Sequence, residues 1–155
     1  GAEHMSMITV ERAGPVATLT LNRPELHNAF NAELIAELHA ACVALRAEGD
    51  LRVLLLRGAG PSFCAGADLG WMRASLDYTR EENLADAARL DAMFDALNRM
   101  PCAVVGRVHG AALGGGVGLA ACCDIVVAAE GATFGFTEAR LGLLPGPGWS
   151  PALGA

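Results

Sequence analysis

Two glycine-rich loops carry the pattern of residues with the clearest potential for chemistry in this chain. The first spans residues 58–69, and the second contains three consecutive glycines at 114–116; each follows an apolar, strand-like run. Because glycine has no Cβ, another molecule can approach such a backbone closely. Where the second loop leads into a helix, amide N–H groups remain unpaired at the positive end of the helix dipole. This arrangement favours an anion, or an oxygen that becomes negative during a reaction.

The glycine run 114–116 taken alone could equally be a tight turn with close helix packing, but the presence of the loop 58–69 favours a functional interpretation. The loop 58–69 is rich in small residues and can present the N–H group of Ala67. Two loops that each follow a strand could place one donor each on the same carbonyl oxygen. Two donors on one oxygen are the minimum for stabilising an enolate or a tetrahedral oxyanion.

Five motifs, taken in order, resemble the enoyl-CoA hydratase/isomerase (crotonase) family. They are Asn22-Arg23-Pro24 with Asn28-Ala29-Phe30, the run Phe63 to Leu69, the run Gly110 to Gly116, Cys123-Asp124-Ile125, and Phe134 to Leu143. The resemblance covers about residues 8–146, and five motifs in register are far more specific than any one of them. It implies an α/β fold, a crotonase-like spiral of repeated ββα units, with the family's C-terminal helical region absent.

The resemblance also implies an acyl-CoA enzyme. In the family the thioester carbonyl sits between two backbone N–H groups, which by motif position belong to Ala67 and Gly115. They stabilise an enolate-like oxygen, an effect worth roughly 3–4 kcal/mol per donor. Glu138 occupies a glutamate position that the family uses to exchange a proton with the carbon chain of the substrate. Its apolar neighbours favour a partly desolvated carboxyl group.

Further residues are implied to bind the substrate. Ala65 and Gly66 match positions that line the pocket for the adenine of CoA, and Asp68 and Gly114 belong to the same substrate-binding set. From its residue type alone, Asp68 is better suited to fixing its own loop through backbone hydrogen bonds. Coenzyme A is part of the substrate, so no separate cofactor is expected, and the spacing of the cysteines predicts no zinc site.

The chain departs from the two-glutamate hydratases at Gly118, where their other glutamate stands. The favoured prediction is hydration of an enoyl-CoA. The sequence around residues 114–124 resembles a branch of hydratases that acts on branched, carboxylated substrates such as methylglutaconyl- or carboxygeranoyl-CoA. One retained glutamate also fits a Δ3,Δ2-enoyl-CoA isomerase, and a truncated acyl-CoA-binding fragment with little activity is a further alternative. A dinucleotide-binding interpretation of 116–121 conflicts with the insertion 110–115 between that run and its strand.

Composition limits the remaining function classes. The chain has 155 residues, is 53% hydrophobic and carries a formal net charge of −6. This charge argues against a nucleic-acid partner, and the absence of lysine excludes Schiff-base chemistry. The five cysteines are predicted to be buried free thiols in a reducing cytosol. No run predicts a membrane span or a signal peptide, so we expect a cytoplasmic protein; the resemblance implies a homo-oligomer, a trimer or a dimer of trimers.

The domain organisation predicted from the sequence has three parts. Residues 1–6 are interpreted as a cloning remnant and start, 7–146 as the crotonase-like core, and 147–155 as an atypical Gly/Pro-rich tail of a truncated chain. Predicted elements are strands at 8–10, 16–21, 51–57, 103–108 and 124–129 and helices at 32–48, 79–100 and 119–123. The turn Ala13-Gly14-Pro15 is predicted to join the first two strands. Asn31 is predicted to cap the first helix and Gly49 to end it. The apolar face of that helix is predicted to consist of Leu34, Leu38, Cys42 and Leu45, helped by Ile35 and Ala41, and the apolar stripe of the longest helix of Leu84, Ala88, Phe94 and Leu97.

Five further residues are given roles from their positions in the sequence. Structural roles are favoured for His27 and His109, and Asp124 is expected to brace the glycine turn. Trp71 and Met72 fit the border of an acyl tunnel and core packing equally well.

Overall fold

The computed structural model describes residues 6–136, and they form a mixed α/β fold. The strands are β1 (Ile8–Ala13), β2 (Val16–Leu21), β3 (Val53–Gly58), β4 (Ala103–Val108), β5 (Ala111–Leu113), β6 (Ile125–Ala128) and β7 (Thr133–Gly135). The helices are α1 (Ala32–Arg46), α2 (Leu69–Ser75), α3 (Arg80–Asn98) and α4 (Gly115–Ala121), with a short 3₁₀ turn at Pro24–Leu26. No helix within this part of the chain is long and apolar enough to cross a membrane.

A five-stranded sheet in the order β1-β2-β3-β4-β6 forms the frame of the fold. The first two strands are an antiparallel hairpin that turns at Gly14 (φ 58°), and every later neighbour pair is parallel. Side chains along β2 and β3 alternate between buried and half-buried. Because parallel strands require a crossover between them, the helices pack onto the sheet. The predicted α/β fold is confirmed.

Helix α1 forms as its sequence predicts. The Asn31 side chain accepts a hydrogen bond from the N–H of Leu34 at 2.8 Å, which satisfies one of the unpaired donors of the first turn. The predicted apolar face is buried and consists of Leu34, Leu38, Cys42 and Leu45, together with Ile35. Gly49 does not end the helix, which stops at Arg46 with Ala47 as its C-cap.

Helix α3 begins with a capping box, in which the Thr79 and Glu82 side chains each accept from the backbone N–H of the other. The predicted apolar stripe is wrong in its first half: the Leu84 side chain is 58% exposed, and Ala88 is exposed as well. Burial in α3 is confined to residues 93–97, so only the last turns of the helix contact the core. Helical periodicity identifies a face, but it does not show how far along the helix that face has a partner.

A small second sheet lies beside the frame and positions the glycine loops. Strands β5 and β7 pair in parallel, and Cys64 forms an isolated parallel bridge with Ala112 of β5. Helix α4 starts at Gly115, earlier than the predicted start at residue 119. The carbonyl of Gly114 accepts from the N–H groups of Val117 and Gly118, and this nucleates the helix inside the glycine run itself.

Candidate active site

The two glycine-rich loops are joined by backbone hydrogen bonds. The N–H of Phe63 donates to the His109 carbonyl (2.9 Å), and the N–H of Cys64 donates to the Ala111 carbonyl (3.1 Å). The N–H of Leu113 returns a bond of 2.9 Å to the Cys64 carbonyl. Residues that are about fifty positions apart in sequence are therefore held in one fixed unit.

Two of the glycines are needed because backbone meets backbone in this unit. Gly66 has φ +89°, and a Cβ built on it would lie 2.8 Å from the Leu113 carbonyl oxygen and 3.4 Å from the Gly115 nitrogen. A Cβ on Gly116 would lie 2.3 Å from the Cys64 carbonyl oxygen. No side chain can move to relieve these contacts, so glycine is required at both positions.

The N–H of Ala67 is free because its neighbours make the local pairing. The N–H of Phe30 donates to the Gly66 carbonyl (2.7 Å), and the N–H of Asp68 donates to the Phe30 carbonyl (2.8 Å). This parallel bridge turns the N–H of Ala67 away from Phe30. The Ala67 N–H has no hydrogen-bond partner within residues 6–136.

The N–H of Gly115 is also free, for a different reason. Gly115 is the first residue of α4, where backbone donors have no partner inside the helix, and none is supplied by the rest of the described chain. Its nitrogen lies against Gly66, the residue before Ala67. Ala67 and Gly115, which the sequence predicts to form one site, therefore lie on two joined loops with their donors unused. That the two donors share one oxygen stays a prediction.

Asp68 acts as a structural clamp. Its Oδ2 accepts from the N–H of Trp71 at 2.9 Å and caps α2, while its Oδ1 lies 3.6 Å from Arg23 Nη1. Arg23 Nη1 also donates to the Ala29 carbonyl at 2.8 Å. This matches the interpretation drawn from the residue type, in which Asp68 fixes its loop. Contact of Asp68 with substrate stays a prediction.

The other predicted substrate-binding residues lie in the same unit. The N–H of Ala65 donates to the His27 carbonyl at 2.9 Å. Gly114 adopts φ 52°, and its N–H donates to the Gly135 carbonyl at 2.8 Å. Glu138, the predicted proton carrier, lies outside the described residues.

Asn28 organises the first loop, a role that the sequence motifs do not predict. Asn28 is fully buried in the left-handed region (φ 57°). Its Nδ2 lies within hydrogen-bond distance of three carbonyls of the loop, those of Ala59 (2.9 Å), Ser62 (2.9 Å) and Phe63 (3.2 Å). Its Oδ1 accepts from the N–H of Arg23 at 2.8 Å. Asparagine tolerates this backbone conformation better than other non-glycine residues. An asparagine in a loop is therefore the feature of the sequence that could have indicated this role.

Two histidines and one aspartate serve the scaffold. His27 Nδ1 lies 3.0 Å from Ser62 Oγ, and His109 Nε2 donates to the Gly60 carbonyl at 2.6 Å, in agreement with the structural role favoured from sequence. Asp124 was expected to brace the glycine turn, and this is wrong. Its Oδ2 accepts from the N–H of Val104 at 2.7 Å, so it ties β6 to the start of β4.

The cysteines are free thiols, and the most central one is not a candidate nucleophile. The Cys64 Sγ donates to the Asn28 carbonyl at 3.2 Å. Burial raises the pKa of Cys64 to about 12, so the thiol stays protonated at neutral pH and lacks thiolate reactivity. Residues 6–136 contain no group of three or more side chains arranged to hold a metal ion.

A pocket of about 210 Å³ lies between α2 and α3. Its lining includes Trp71, Met72 and Ser75 from α2 and Asn83, Asp86 and Leu90 from α3. Helix α2, which forms one wall of this pocket, starts directly after Asp68. Trp71 and Met72, for which the sequence fits either an acyl-tunnel border or core packing, both line this pocket.

Comparison with known proteins agrees with this geometry. The family described as enoyl-CoA hydratase/isomerase matches residues 11–154. A relative named "Probable enoyl-CoA hydratase" from Rhizobium meliloti is 42% identical over 147 residues, which are 94% of this chain and 55% of that protein. The chain therefore spans about half the length of the relatives it matches.

Solved structures give the same result. An enoyl-CoA hydratase from Shewanella pealeana superimposes with a TM-score of 0.86 at 38% identity, over 90% of this chain and 52% of that one. An enoyl-CoA hydratase from Mycobacterium smegmatis superimposes with a TM-score of 0.84 at 37% identity, over 88% of this chain and 53% of that one. With the interlocked glycine loops and the family match over most of its length, the chain belongs to the enoyl-CoA hydratase/isomerase family.

Proposed function

We propose that this chain carries the oxyanion site of an enzyme that hydrates an enoyl-CoA. The observation that carries the proposal is that Ala67 and Gly115 each have an unused donor and lie on two interlocked loops, in which Gly115 lies against Gly66, the residue before Ala67. Donors fixed before the reaction stabilise developing negative charge without reorganisation, and each is worth roughly 10²–10³ in rate. The names of the relatives, which are enoyl-CoA hydratases, support hydration.

The proposed chemistry follows from polarising the thioester. When both N–H groups bond to the carbonyl oxygen, the conjugated β-carbon becomes electrophilic toward water, and the two donors stabilise the enolate that forms when water adds there. Water then adds at the β-carbon, and the enolate collapses as the α-carbon takes up a proton. Glu138, by its motif position, is the residue proposed to exchange protons with water and the carbon chain.

Gly118 supports isomerisation as the second candidate function. It lies inside α4, is buried and offers no carboxylate, so a second acid at this position is absent. A Δ3,Δ2-enoyl-CoA isomerase moves one proton and needs only one base, which Glu138 could supply. The branched, carboxylated acyl group suggested by sequence resemblance, the cytoplasmic location and a homo-oligomeric assembly stay predictions.

The test is a hydration and isomerisation assay over a small panel of enoyl-CoAs, including methylglutaconyl-CoA. Glu138→Gln is expected to lower kcat by about 10²-fold or more while leaving acyl-CoA binding in place. Glu130→Gln is the matched control, since Glu130 is exposed in a turn before β7 and should leave the rate unchanged. The proposal fails if no acyl-CoA is bound or turned over, either by the chain alone or by the chain extended with the C-terminal half of a relative.

A further inference from the structure

Phe30 contacts both glycine-rich loops, and it does so with different parts of the residue. Its backbone N–H donates to the Gly66 carbonyl at 2.7 Å, and its carbonyl accepts from the N–H of Asp68 at 2.8 Å, so the two bonds flank Ala67. Its ring lies against Gly115, since a Cβ built there would be 3.0 Å from Phe30 Cδ2 and closer still to Cε2. One residue is therefore bonded to both neighbours of Ala67 and packed on Gly115.

The position of Phe30 is itself well determined. The carbonyl of the preceding residue, Ala29, accepts from Arg23 Nη1 at 2.8 Å, and the following residue, Asn31, is the N-cap of α1. The Phe30 ring is 1% exposed and meets the Phe94 ring edge-on, with an angle of 81° between the ring planes. Because its backbone and its ring are both held, Phe30 is a fixed support for the two loops that contact it.

An oxyanion site works only while its donors keep their positions. Preorganised donors stabilise charge without moving, and catalytic groups must be held within about 0.5 Å of the productive geometry. A displacement of about 1 Å can lower the rate about 10²-fold. The N–H of Gly115 bonds to nothing within residues 6–136, so packing on the Phe30 ring helps to fix where this donor lies.

We propose that Phe30 is a positioning residue of the oxyanion site, and that its ring sets where the N–H of Gly115 lies relative to the N–H of Ala67. The inference rests on the proposed function and adds to it a residue that acts through the two donors. A smaller side chain at position 30 keeps the backbone bonds that flank Ala67, but it removes the ring edge that supports Gly115.

The test compares Phe30→Leu with a core substitution that lies far from the loops. Phe30→Leu should lower kcat and kcat/KM together, by roughly tenfold or more, because the lost stabilisation belongs to the transition state. The ¹³C signal of the bound thioester carbonyl should move back toward its position in the free acyl-CoA. Leu45→Ala is the control: Leu45 is 4% exposed and lies about 20 Å along α1 from its N-cap, so this substitution lowers stability but should change neither readout.

Two further variants separate positioning from stability. Phe30→Met fills a similar space with a flexible side chain, so it should give the same loss of kcat in a chain that folds more readily than Phe30→Leu. Gly115→Ala places a methyl group where the ring edge lies, and alone it should lower kcat as well. In the Phe30→Leu background that methyl group has room, so adding Gly115→Ala there should recover part of kcat and of the carbonyl shift.

The possible results distinguish this inference from the proposed function. Equal kcat and carbonyl shift in Phe30→Leu, Phe30→Met and Leu45→Ala would overturn the inference and leave the proposed function standing. A double variant no more active than Phe30→Leu would do the same. Failure of the unsubstituted chain, alone or extended with the C-terminal half of a relative, to bind or turn over any enoyl-CoA would overturn both.

Discussion

Gly115→Ala tests whether the oxyanion loop depends on backbone packing. A Cβ at this position would lie 2.4 Å from Phe30 Cε2 and 3.0 Å from Phe30 Cδ2. The Phe30 ring is 1% exposed, and it packs edge-on against Phe94 with ring centroids 6.2 Å apart, so it cannot swing away without disturbing a second buried ring. Overpacking of this kind costs about 1–3 kcal/mol.

Part of this cost is offset, because replacing glycine in a helix by alanine stabilises by about 0.4–1 kcal/mol. We therefore expect a net loss of about 1–2 kcal/mol in the free energy of unfolding. This corresponds to a fall in Tm of roughly 2–8 °C for a domain of this size.

The assay is equilibrium unfolding in urea with two comparison variants. Gly49→Ala is the control, because no atom lies within 4 Å of a Cβ built there. Phe30→Leu removes the ring edge, so the loss from Gly115→Ala should shrink in the Phe30→Leu background, and a double-mutant cycle measures the coupling. The reasoning is refuted if Gly115→Ala is as stable as Gly49→Ala, or if the coupling is zero within error.

Three other perturbations have expected outcomes. Asn28→Ala should lower the free energy of unfolding by about 3 kcal/mol or more, since it leaves buried carbonyls of the first loop unpaired; loss of less than 1 kcal/mol in the same urea assay would contradict this. Burial raises the pKa of Cys42 and Cys64 from 9.0 to about 12, so the unfolded chain loses these protons at a lower pH than the folded chain does. Stability should therefore be constant with respect to the thiols below about pH 8 and fall as pH rises above about 9, and a Cys64→Ala variant should show a smaller alkaline fall in urea titrations at several pH values. The strand β6 exposes Ile125, Val126 and Val127 by 41–58%, so the chain should self-associate in sedimentation, and Val127→Lys should reduce that association; a concentration-independent monomer would contradict the expectation.

The parts of the fold that could be predicted are those fixed by local sequence. The hairpin around Gly14 and the helix capped by Asn31 follow from turn chemistry, capping and a face of residues at helical spacing, and both are confirmed. Those signals act over a few residues and do not depend on what packs against them. Residue motifs likewise identify the two glycine-rich loops, which the structure joins by backbone hydrogen bonds; the pairing of the Ala67 and Gly115 amides stays a prediction.

The features that sequence could not predict depend on distant partners. Leu84 has helical spacing, but within residues 6–136 it is 58% exposed and no core surface covers it. The start of α4 at Gly115 depends on the unusual backbone of Gly114, and the role of Asn28 depends on carbonyls more than thirty residues away. The asparagine itself is visible in the sequence, but its burial and the loop to which it bonds are not.

The proposed function depends on the N–H groups of Ala67 and Gly115 bonding to one thioester oxygen. The most direct measurement is the ¹³C chemical shift of the carbonyl in an acyl-CoA labelled at that carbon, free and bound to the chain. Two donors should move the bound signal downfield, and replacing the Ala67 amide by an ester, which removes its N–H and little else, should reverse part of that movement. An ester at Asp68 is the control, because that N–H is already bonded to Phe30, and it should lower stability without altering the shift. A bound carbonyl whose shift equals that of the free thioester, or one unaffected by the ester at Ala67, would contradict the claim.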